Sequence, residues 1–309
     1  MKNILSAINE EAKSNPLGLV ERAERDYLKE IESIAKKIAD DDDIKIVSIA
    51  GPSASGKTTT AHILCDMLEN MGETTNVVSL DNFYLPVDKL PILEDGTRDI
   101  ESVNSLDKQL IEKCFTQIVE TGKTVLPMFD FTKKVRIENA LPIDITKHGI
   151  IIVEGLHGLN PIITDLAPEK NIFKIYISVN SSICDDGGKM LMSSRQIRLV
   201  RRTLRDMVFR ASPADVTLSL WNNVVEGEKK HLYCFKGTAD VQLKTLHLYE
   251  PCVYRNDFLK LKDQVRYGTP CYEYFMKTAD VLEKFESIDS SLVPYDSLIR
   301  EFIGGGRYN

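Results

Sequence analysis

The chain has 309 residues, of which 43% are hydrophobic and 28% are charged, and its formal net charge is −7. This length allows one large α/β domain with extensions, or two small domains. The acidic balance disfavours general nucleic-acid binding, which usually needs a basic surplus or a basic face. We find no secretory signal and no run of about 18 apolar residues, so we expect a cytoplasmic protein with no membrane partner. The six cysteines include no CxxC pair, which predicts reduced, buried thiols.

The first part of the chain predicts a helical extension over residues 1–43. Apolar residues recur at helical spacing between Leu17 and Asp40, with charged residues between them. The acidic run from Asp40 to Asp43 favours a solvated loop over a metal site, because consecutive side chains point in different directions. We expect the second domain to cover residues 44–309.

From residue 44 onwards, β-branched runs alternate with amphipathic segments. The predicted strands are residues 44–50, 76–80, 150–153, 173–179 and 241–246. The predicted helices are residues 57–70 and 106–120, an arginine-rich segment ending near 210, residues 214–228, and most of the stretch from 249 to 303. This alternation predicts an α/β fold with a central, mostly parallel sheet covered on both faces.

The sequence GPSASGKT, from Gly51 to Thr58, is a complete GxxxxGK[ST] motif between a predicted strand and a predicted helix. Backbone N–H groups of such a loop wrap phosphates, and the helix N-terminus adds a favourable dipole. We expect Lys57 to reach the β- and γ-phosphates of ATP and the Thr58 hydroxyl to bind Mg²⁺. The predicted nucleotide-binding residues are Gly51, Ser53, Ala54, Ser55, Gly56, Lys57, Thr58 and Thr59.

Other nucleotide-binding classes lack support in this sequence. No NKxD segment for guanine and no LSGGQ segment is found, which argues against a GTPase and an ABC ATPase. A second GKT, at residues 122–124, lacks the upstream glycine and follows a predicted helix. We interpret its glycine as a helix C-cap.

Two acidic residues follow predicted strands, at the sheet edge where ligands of parallel α/β proteins bind. Asp81 could take a proton from an attacking hydroxyl, or it could simply cap a turn. Glu154 ends a Walker B-like strand and could hold Mg²⁺, or it could be a solvent-exposed residue at a strand end. His157 lies just beyond and could approach the site.

An arginine-rich helix follows a loop that contains Gly187 and Gly188, which could supply a hinge ahead of it. Four arginines recur at intervals of three, four and three residues, which places them on one face of a helix: Arg195, Arg198, Arg202 and Arg205. Arg201 borders this face. We expect a lid over residues 185–235 that closes over ATP, with Arg202 and Arg205 binding phosphates. The alternatives are a solvated face paired with acids and an RNA-binding helix.

Several of these segments, in this order and spacing, resemble the uridine kinase and phosphoribulokinase family of P-loop kinases. They are GPSASGKT at Gly51, LDNFY at Leu80, FDF at Phe129, VEG at Val153 and RLVRRTLRD at Arg198. The resemblance runs from about Ile44 to Tyr254. It implies that Asp81 activates the acceptor hydroxyl, and it makes a dimer or tetramer plausible.

The resemblance also implies an acceptor-binding set. It comprises Tyr84, Glu101 for ribose hydroxyls, Phe129 and Asp130 beside the base, Lys134 and Arg136. Three positions depart from the uridine kinase pattern: Phe129 replaces a tyrosine, Lys134 replaces a base-contacting histidine, and Ser212 stands where the lid motif ends in arginine. The segment from Trp221 to Glu228 is similar to a subgroup of bacterial uridine kinase-like proteins.

The sequence therefore predicts a phosphotransferase with catalytic residues Asp81, Lys57, Arg202 and Arg205, and with ATP and Mg²⁺ as cofactors. A nucleoside such as uridine or cytidine is the expected substrate, phosphorylated on its 5′-hydroxyl. One alternative is a kinase of the same fold that acts on a sugar phosphate or a vitamin precursor. Another is a nucleotide-sensing regulator with little turnover.

Overall fold

The computed structural model describes residues 3–92, 96, 98–130, 133, 135–145 and 149–308. The strands are β1 (Ile46–Ala50), β2 (Thr75–Ser79), β3 (Lys123–Asp130), β4 (Val135–Asp144), β5 (Ile150–Gly155), β6 (Ile172–Ser178), β7 (Ile183–Cys184), β8 (Met190–Met192) and β9 (Val241–Lys244). The helices are α1 (Leu5–Ser14), α2 (Pro16–Ala39), α3 (Lys57–Asn70), α4 (Lys108–Thr121), α5 (Pro161–Thr164), α6 (Ser194–Arg210), α7 (Ala214–His231), α8 (Glu250–Leu259), α9 (Tyr272–Leu282) and α10 (Arg300–Ile303).

The central sheet has the strand order β2-β5-β1-β6-β9, and all of its strand pairs are parallel. This confirms the predicted α/β class. Strands β1 and β5 are buried throughout, as their unbroken apolar character requires when helices cover both faces. Register pairs Glu154 of β5 with Ile49 of β1 on one side and with Ser79 of β2 on the other. The carboxyl ends of these three strands therefore meet at one edge.

The core lies on both sides of this sheet, because alternate residues of each strand point to opposite faces. On β5, Ile150 and Ile152 join a large cluster with the N-terminal helices, α3 and the helices from α6 onwards. Ile151 and Val153 join a smaller cluster with α4 and the β3–β4 hairpin. The first helices thus share the main hydrophobic core with the rest of the chain.

Several elements differ from the sequence-based predictions. Helix α1 and the hairpins β3–β4 and β7–β8 were not predicted, and the stretch after residue 249 contains more irregular chain than expected. Gly122 does end α4 in a left-handed conformation, as predicted for a C-cap. All six cysteines are free, but Cys234 is exposed, so the expectation of uniformly buried thiols was wrong. In the described part of the chain, no helix combines the length and the apolar composition needed to cross a bilayer.

Candidate active site

The phosphate loop joins β1 to α3 at the carboxyl edge of the sheet. Gly56 precedes the first helical residue with φ of +90°, a left-handed conformation that glycine adopts without strain. At Gly51 a Cβ atom would lie 2.4 Å from the carbonyl oxygen of Ile177, so only glycine fits there. The loop is largely buried, while Thr58 at the start of the helix is exposed.

Lys57 lies among the charged groups of this edge. Its ammonium group donates a hydrogen bond of 3.2 Å to the carbonyl of Pro52. Burial lowers the pKa of Lys57, and the nearby carboxylates of Glu154 and Asp81 oppose that shift. One cation and two carboxylates therefore share the space in front of the phosphate loop.

Asp81 and Glu154 both lie where the sequence places them, at adjacent strand ends. Asp81 belongs to the 3-10 turn Leu80–Phe83 that follows β2, and the Ser79 side chain, not Asp81, caps this turn. Glu154 is 4% exposed, so the alternative of a solvent-exposed strand end was wrong. Burial raises the pKa of Glu154; Asp81 raises it further, and Lys57 opposes the rise.

The oxygen donors at this edge fit a magnesium ion that keeps most of its ligands from water and phosphate. Thr58 and Glu154 would hold it, and the ion would offset negative charge on transferring phosphates. The described residues contain no group of three or more His, Cys, Asp or Glu side chains arranged for a metal. A sparse donor set of this kind is typical of Mg²⁺ sites, because Mg²⁺ dehydrates reluctantly.

The predicted acceptor side is built by the turn at Asp81 and the β3–β4 hairpin. The rings of Tyr84 and Phe129 lie edge to face with centroids 5.7 Å apart. The backbone N–H of Phe129 donates to Asn82 Oδ1 at 3.2 Å, which ties the hairpin to the turn. The Tyr84 hydroxyl donates to the carbonyl of Ile100 at 3.1 Å. The two rings therefore form an aromatic wall beside the strap, residues 99–102, which carries Glu101.

Burial and the charged residues of the cleft shift the pKa of Glu101. Burial raises the pKa of its carboxyl to about 7; Arg202 opposes this rise, and Glu228 and Asp81 add to it. The backbone N–H of Glu101 donates to Asp99 Oδ1 at 3.1 Å, which fixes the strap locally.

Two of the remaining predicted acceptor residues, Asp130 and Arg136, already make contacts within the protein. The carboxylate of Asp130 accepts from the backbone N–H of Lys133 at 2.9 Å. The Arg136 guanidinium forms ion pairs with Asp107 at 2.9 Å and Glu138 at 2.7 Å, so it is already bound within the protein. Lys134 lies outside the described residues.

The arginine helix α6 packs on the phosphate loop instead of lying in solvent. Arg198 and Arg202 are buried, whereas Arg195 is exposed, so the predicted four-residue face is only partly formed. Arg201, predicted at its border, is fully buried and pairs with Glu250 at 2.7 Å. The alternative of a solvated face paired with acids was therefore wrong about solvation, although the buried arginines do pair with acids. Gly188, expected near a hinge, lies in the turn of the β7–β8 hairpin.

Arg202 and Arg205 lie beside the phosphate loop. Arg202 Nη1 donates to the Ser53 hydroxyl at 2.7 Å, and both arginines lie near Asp206, at 3.4 and 3.5 Å. Both Nε atoms are buried. Arg202 Nε lies 3.4 Å from Asp206 Oδ2, whereas Arg205 Nε lacks a hydrogen-bond partner among the described residues. A buried donor such as Arg205 Nε fits an anionic ligand, because an unsatisfied buried N–H is costly.

Two glutamates at this site were not predicted as site residues. Glu228 of α7 is fully buried and accepts from the backbone N–H of Ser53 at 2.8 Å. Glu301 of α10 accepts from the Thr59 hydroxyl at 2.8 Å and lies 3.4 Å from its backbone nitrogen. Glu228 closes the segment noted for its similarity to one bacterial subgroup. Glu301 has no local sequence signal.

His157 and Trp221 lie near the site but outside its main cluster. His157 is buried, with its ring centroid 6.0 Å from that of His231, and burial lowers its pKa to about 4. Trp221 is 1% exposed with the Arg198 guanidinium 5.6 Å from its ring centroid, so it packs in the core.

The phosphate loop, the two strand-end carboxylates and the parallel sheet define a P-loop phosphotransferase. Residues 46–185 match the model of the Phosphoribulokinase / Uridine kinase family. This part of the chain is therefore similar to that family, whose uridine kinases transfer a phosphoryl group to a hydroxyl acceptor. The match ends before α6, so it does not cover the arginine helix.

Individual relatives are distant. The chain is 28% identical to the uridine kinase of Saccharomyces cerevisiae over 188 residues, covering 59% of this chain and 32% of that protein. It is 27% identical to the uridine kinase of Lactobacillus helveticus over 195 residues, covering 60% of this chain and 82% of that protein. This chain therefore matches only about a third of the yeast protein's length.

Solved structures with a similar arrangement are also distant in sequence. One, described as "a Possible Uridine Kinase from Bacillus stearothermophilus", has a TM-score of 0.44 at 17% identity and covers 65% of this chain and 89% of its own. Another, the D-glycerate 3-kinase of Cryptococcus neoformans, has a TM-score of 0.36 at 14% identity and covers 78% of each chain.

Proposed function

We propose that the protein is an ATP- and Mg²⁺-dependent kinase that phosphorylates the 5′-hydroxyl of a nucleoside such as uridine or cytidine. The observation that carries this proposal is the cluster of Lys57, Asp81 and Glu154 in front of the phosphate loop. A protein that only binds nucleotide has no need for Asp81 at this position. The similarity of residues 46–185 to a family of hydroxyl-directed kinases supports the same conclusion.

Each residue of this cluster has a separate task in the proposed reaction. The phosphate loop and Lys57 bind and neutralise the phosphates, and Arg202 and Arg205 add donors from the other side. Asp81 accepts the proton of the attacking hydroxyl or orients that hydroxyl. Because α6 and α7 cover the loop, water has restricted access, which protects the phosphoryl group from hydrolysis.

A nucleoside acceptor is supported by the shape and chemistry of the adjacent wall. Tyr84 and Phe129 offer aromatic surface for a planar base. Glu101 offers a carboxylate for sugar hydroxyls between that wall and Asp81. We also propose that residues 44–309 act as one kinase domain, with residues 1–43 as its helical extension, and that the protein is cytoplasmic.

The test is ADP release from ATP and Mg²⁺ by purified protein, with and without uridine, cytidine, other nucleosides and a set of sugar phosphates. We expect one nucleoside to stimulate release and Asp81→Asn to abolish that stimulation. Stimulation by a sugar phosphate alone would replace the nucleoside with that acceptor. Tight ATP binding with no stimulation by any acceptor would overturn the kinase proposal in favour of nucleotide sensing.

A further inference from the structure

Gly227 lies in the interior of α7, where glycine is an unfavourable choice. Glycine in a helix interior is destabilising relative to alanine, so a buried helical glycine needs a packing reason. Here the reason is Glu101: a Cβ atom on Gly227 would lie 2.4 Å from Glu101 Cβ and 2.8 Å from its Cγ. The strap that carries Glu101 therefore rests directly on the backbone of α7.

The contact between Glu101 and Gly227 cannot be relieved easily, because hydrogen bonds hold the backbone of the strap in place. Asp99 Oδ1 accepts from the backbone N–H groups of Glu101 at 3.1 Å and Ser102 at 3.0 Å. The Tyr84 hydroxyl donates to the carbonyl of Ile100 at 3.1 Å. Since Cβ moves only with the backbone, Glu101 could not make room for a side chain on α7 by changing its rotamer.

The next residue of α7 contacts the other half of the site. Glu228 accepts from the backbone N–H of Ser53 in the phosphate loop at 2.8 Å. Two consecutive residues of one helix thus touch the acceptor strap and the phosphate loop. The position of Glu101 relative to the phosphate loop is set by this single turn of helix.

We infer that Gly227 is a positioning residue for the acceptor: its missing side chain lets Glu101 reach the cleft and bind an acceptor that carries vicinal hydroxyls. This inference rests on the proposed kinase function, in which Glu101 binds the acceptor. A side chain at position 227 pushes Glu101 back from the cleft. Acceptor affinity falls, while the phosphate loop and nucleotide affinity remain as they were.

The test compares Gly227→Ala with Gly237→Ala. Gly237 is the matched control, because it is exposed and a Cβ there meets nothing within 4 Å. With uridine as acceptor, we expect Gly227→Ala to raise KM at least tenfold, with kcat within about threefold of the wild-type value and ATP Kd unchanged. Gly237→Ala should change none of these quantities.

Thermal unfolding separates the steric contact from its effect on the acceptor. Without a clash, Gly→Ala in a helix interior raises Tm; with the clash, Gly227→Ala lowers it. In a Glu101→Gly background the same substitution should raise Tm, because the opposing Cβ is gone.

The outcomes distinguish a failure of the positioning role of Gly227 from a failure of the proposed kinase function. An unchanged KM in Gly227→Ala, in a protein whose wild type is active with uridine, overturns this inference and leaves the proposed function intact. A raised Tm in the Gly227→Ala variant alone also overturns it. No stimulation of the wild type by any acceptor overturns the proposed function and the positioning role together.

Discussion

The backbone N–H of Ser53 donates a hydrogen bond of 2.8 Å to the buried carboxylate of Glu228, which lies 175 residues further along the chain. The Ser53 carbonyl accepts from Arg198 Nε at 2.8 Å, and its hydroxyl accepts from Arg202 at 2.7 Å. All three polar groups of one phosphate-loop residue are thus bound by α6 and α7. The helices expected to form a lid are docked on the loop.

We expect Glu228→Gln to weaken ATP binding about tenfold or more and to lower Tm. The amide would leave the buried Arg198 guanidinium without its charge partner, and truncation of such pairs is strongly destabilising. Isothermal titration with ATP and thermal unfolding would measure both effects. Glu226→Gln is the control, since Glu226 is exposed on the same helix and pairs with the exposed Lys229. If Glu228→Gln and Glu226→Gln had the same ATP Kd and the same Tm, Glu228 would have no role in holding the phosphate loop.

Asp81→Asn should lower kcat by about 100-fold or more, because general-base catalysis contributes about 10² to 10⁴ in rate. ATP Kd should stay within about threefold, since the phosphate loop is unchanged. Asp88→Asn, at an exposed position in the following turn, is the control. If Asp81→Asn abolished ATP binding and Asp88→Asn did not, Asp81 would belong to the nucleotide site and not to the acceptor site.

Arg201→Met should reduce the free energy of unfolding by about 3 to 5 kcal/mol, the range found when a buried ion pair loses one partner. Arg201 and Glu250 are both fully buried, and Arg201 also donates to the carbonyl of Thr245 at 2.6 Å. Denaturant unfolding of Arg201→Met and of Arg195→Met, at an exposed site on the same helix, would measure this. A loss of less than about 1 kcal/mol for Arg201→Met would contradict it.

Glu101→Gln should stabilise the protein at pH 8 but not at pH 4. The pKa of Glu101 rises from 4.5 in the unfolded chain to about 7 in the folded protein, so the folded state holds its proton more tightly. That stabilisation is complete below pH 4.5 and is lost as pH rises through 7. At about 1.4 kcal/mol per pKa unit, the variant should gain on the order of 3 kcal/mol at pH 8.

Urea unfolding at the two pH values measures this gain. Glu226→Gln is the opposite control, because a hydrogen bond from Lys229 lowers the pKa of Glu226. It should give no gain at pH 8. Equal stability of wild type and Glu101→Gln across the range would show that Glu101 is solvated.

Glu301→Gln should tighten ATP binding several-fold. The Glu301 carboxylate holds the Thr59 hydroxyl, beside backbone N–H groups that α3 offers to phosphate, and its charge repels the nucleotide. Titration with ATP at low and moderate salt would measure the change, with Glu273→Gln, exposed on α9, as the control. Weaker binding in Glu301→Gln would mean that this carboxylate supports the loop instead of competing with its ligand.

Local sequence patterns predicted the elements that carry the phosphate site. Helix α3 has the predicted bounds, because the motif fixes its start and a periodic apolar face continues to Asn70. The β3–β4 hairpin was missed although its motif residues were noted. Its outer face exposes apolar residues such as Val135 and Ile137, which obscures the alternation expected of a half-buried strand.

The environment of the arginines could not be read from helical spacing. The pattern placed Arg201 at the border of the arginine face, yet it is fully buried and pairs with Glu250. That partner is 49 residues away in sequence, and nothing local to either residue indicates the pairing. Glu301 illustrates the same limit at greater separation, since its contact with Thr59 spans 242 residues. Pairings of this kind are decided by the tertiary fold.

The contact of Leu298 with Gly56 bears on the order in which a growing chain can assemble its site. Leu298 Cδ1 lies 2.4 Å from where a Cβ on Gly56 would be, so this leucine covers the turn that opens α3. During synthesis, β1 and α3 leave the ribosome long before residue 298 does, because the chain is synthesised from its N-terminal end. Until then the phosphate loop lacks its cover. A nascent chain should therefore acquire its final nucleotide affinity only after residue 298 has left the ribosome.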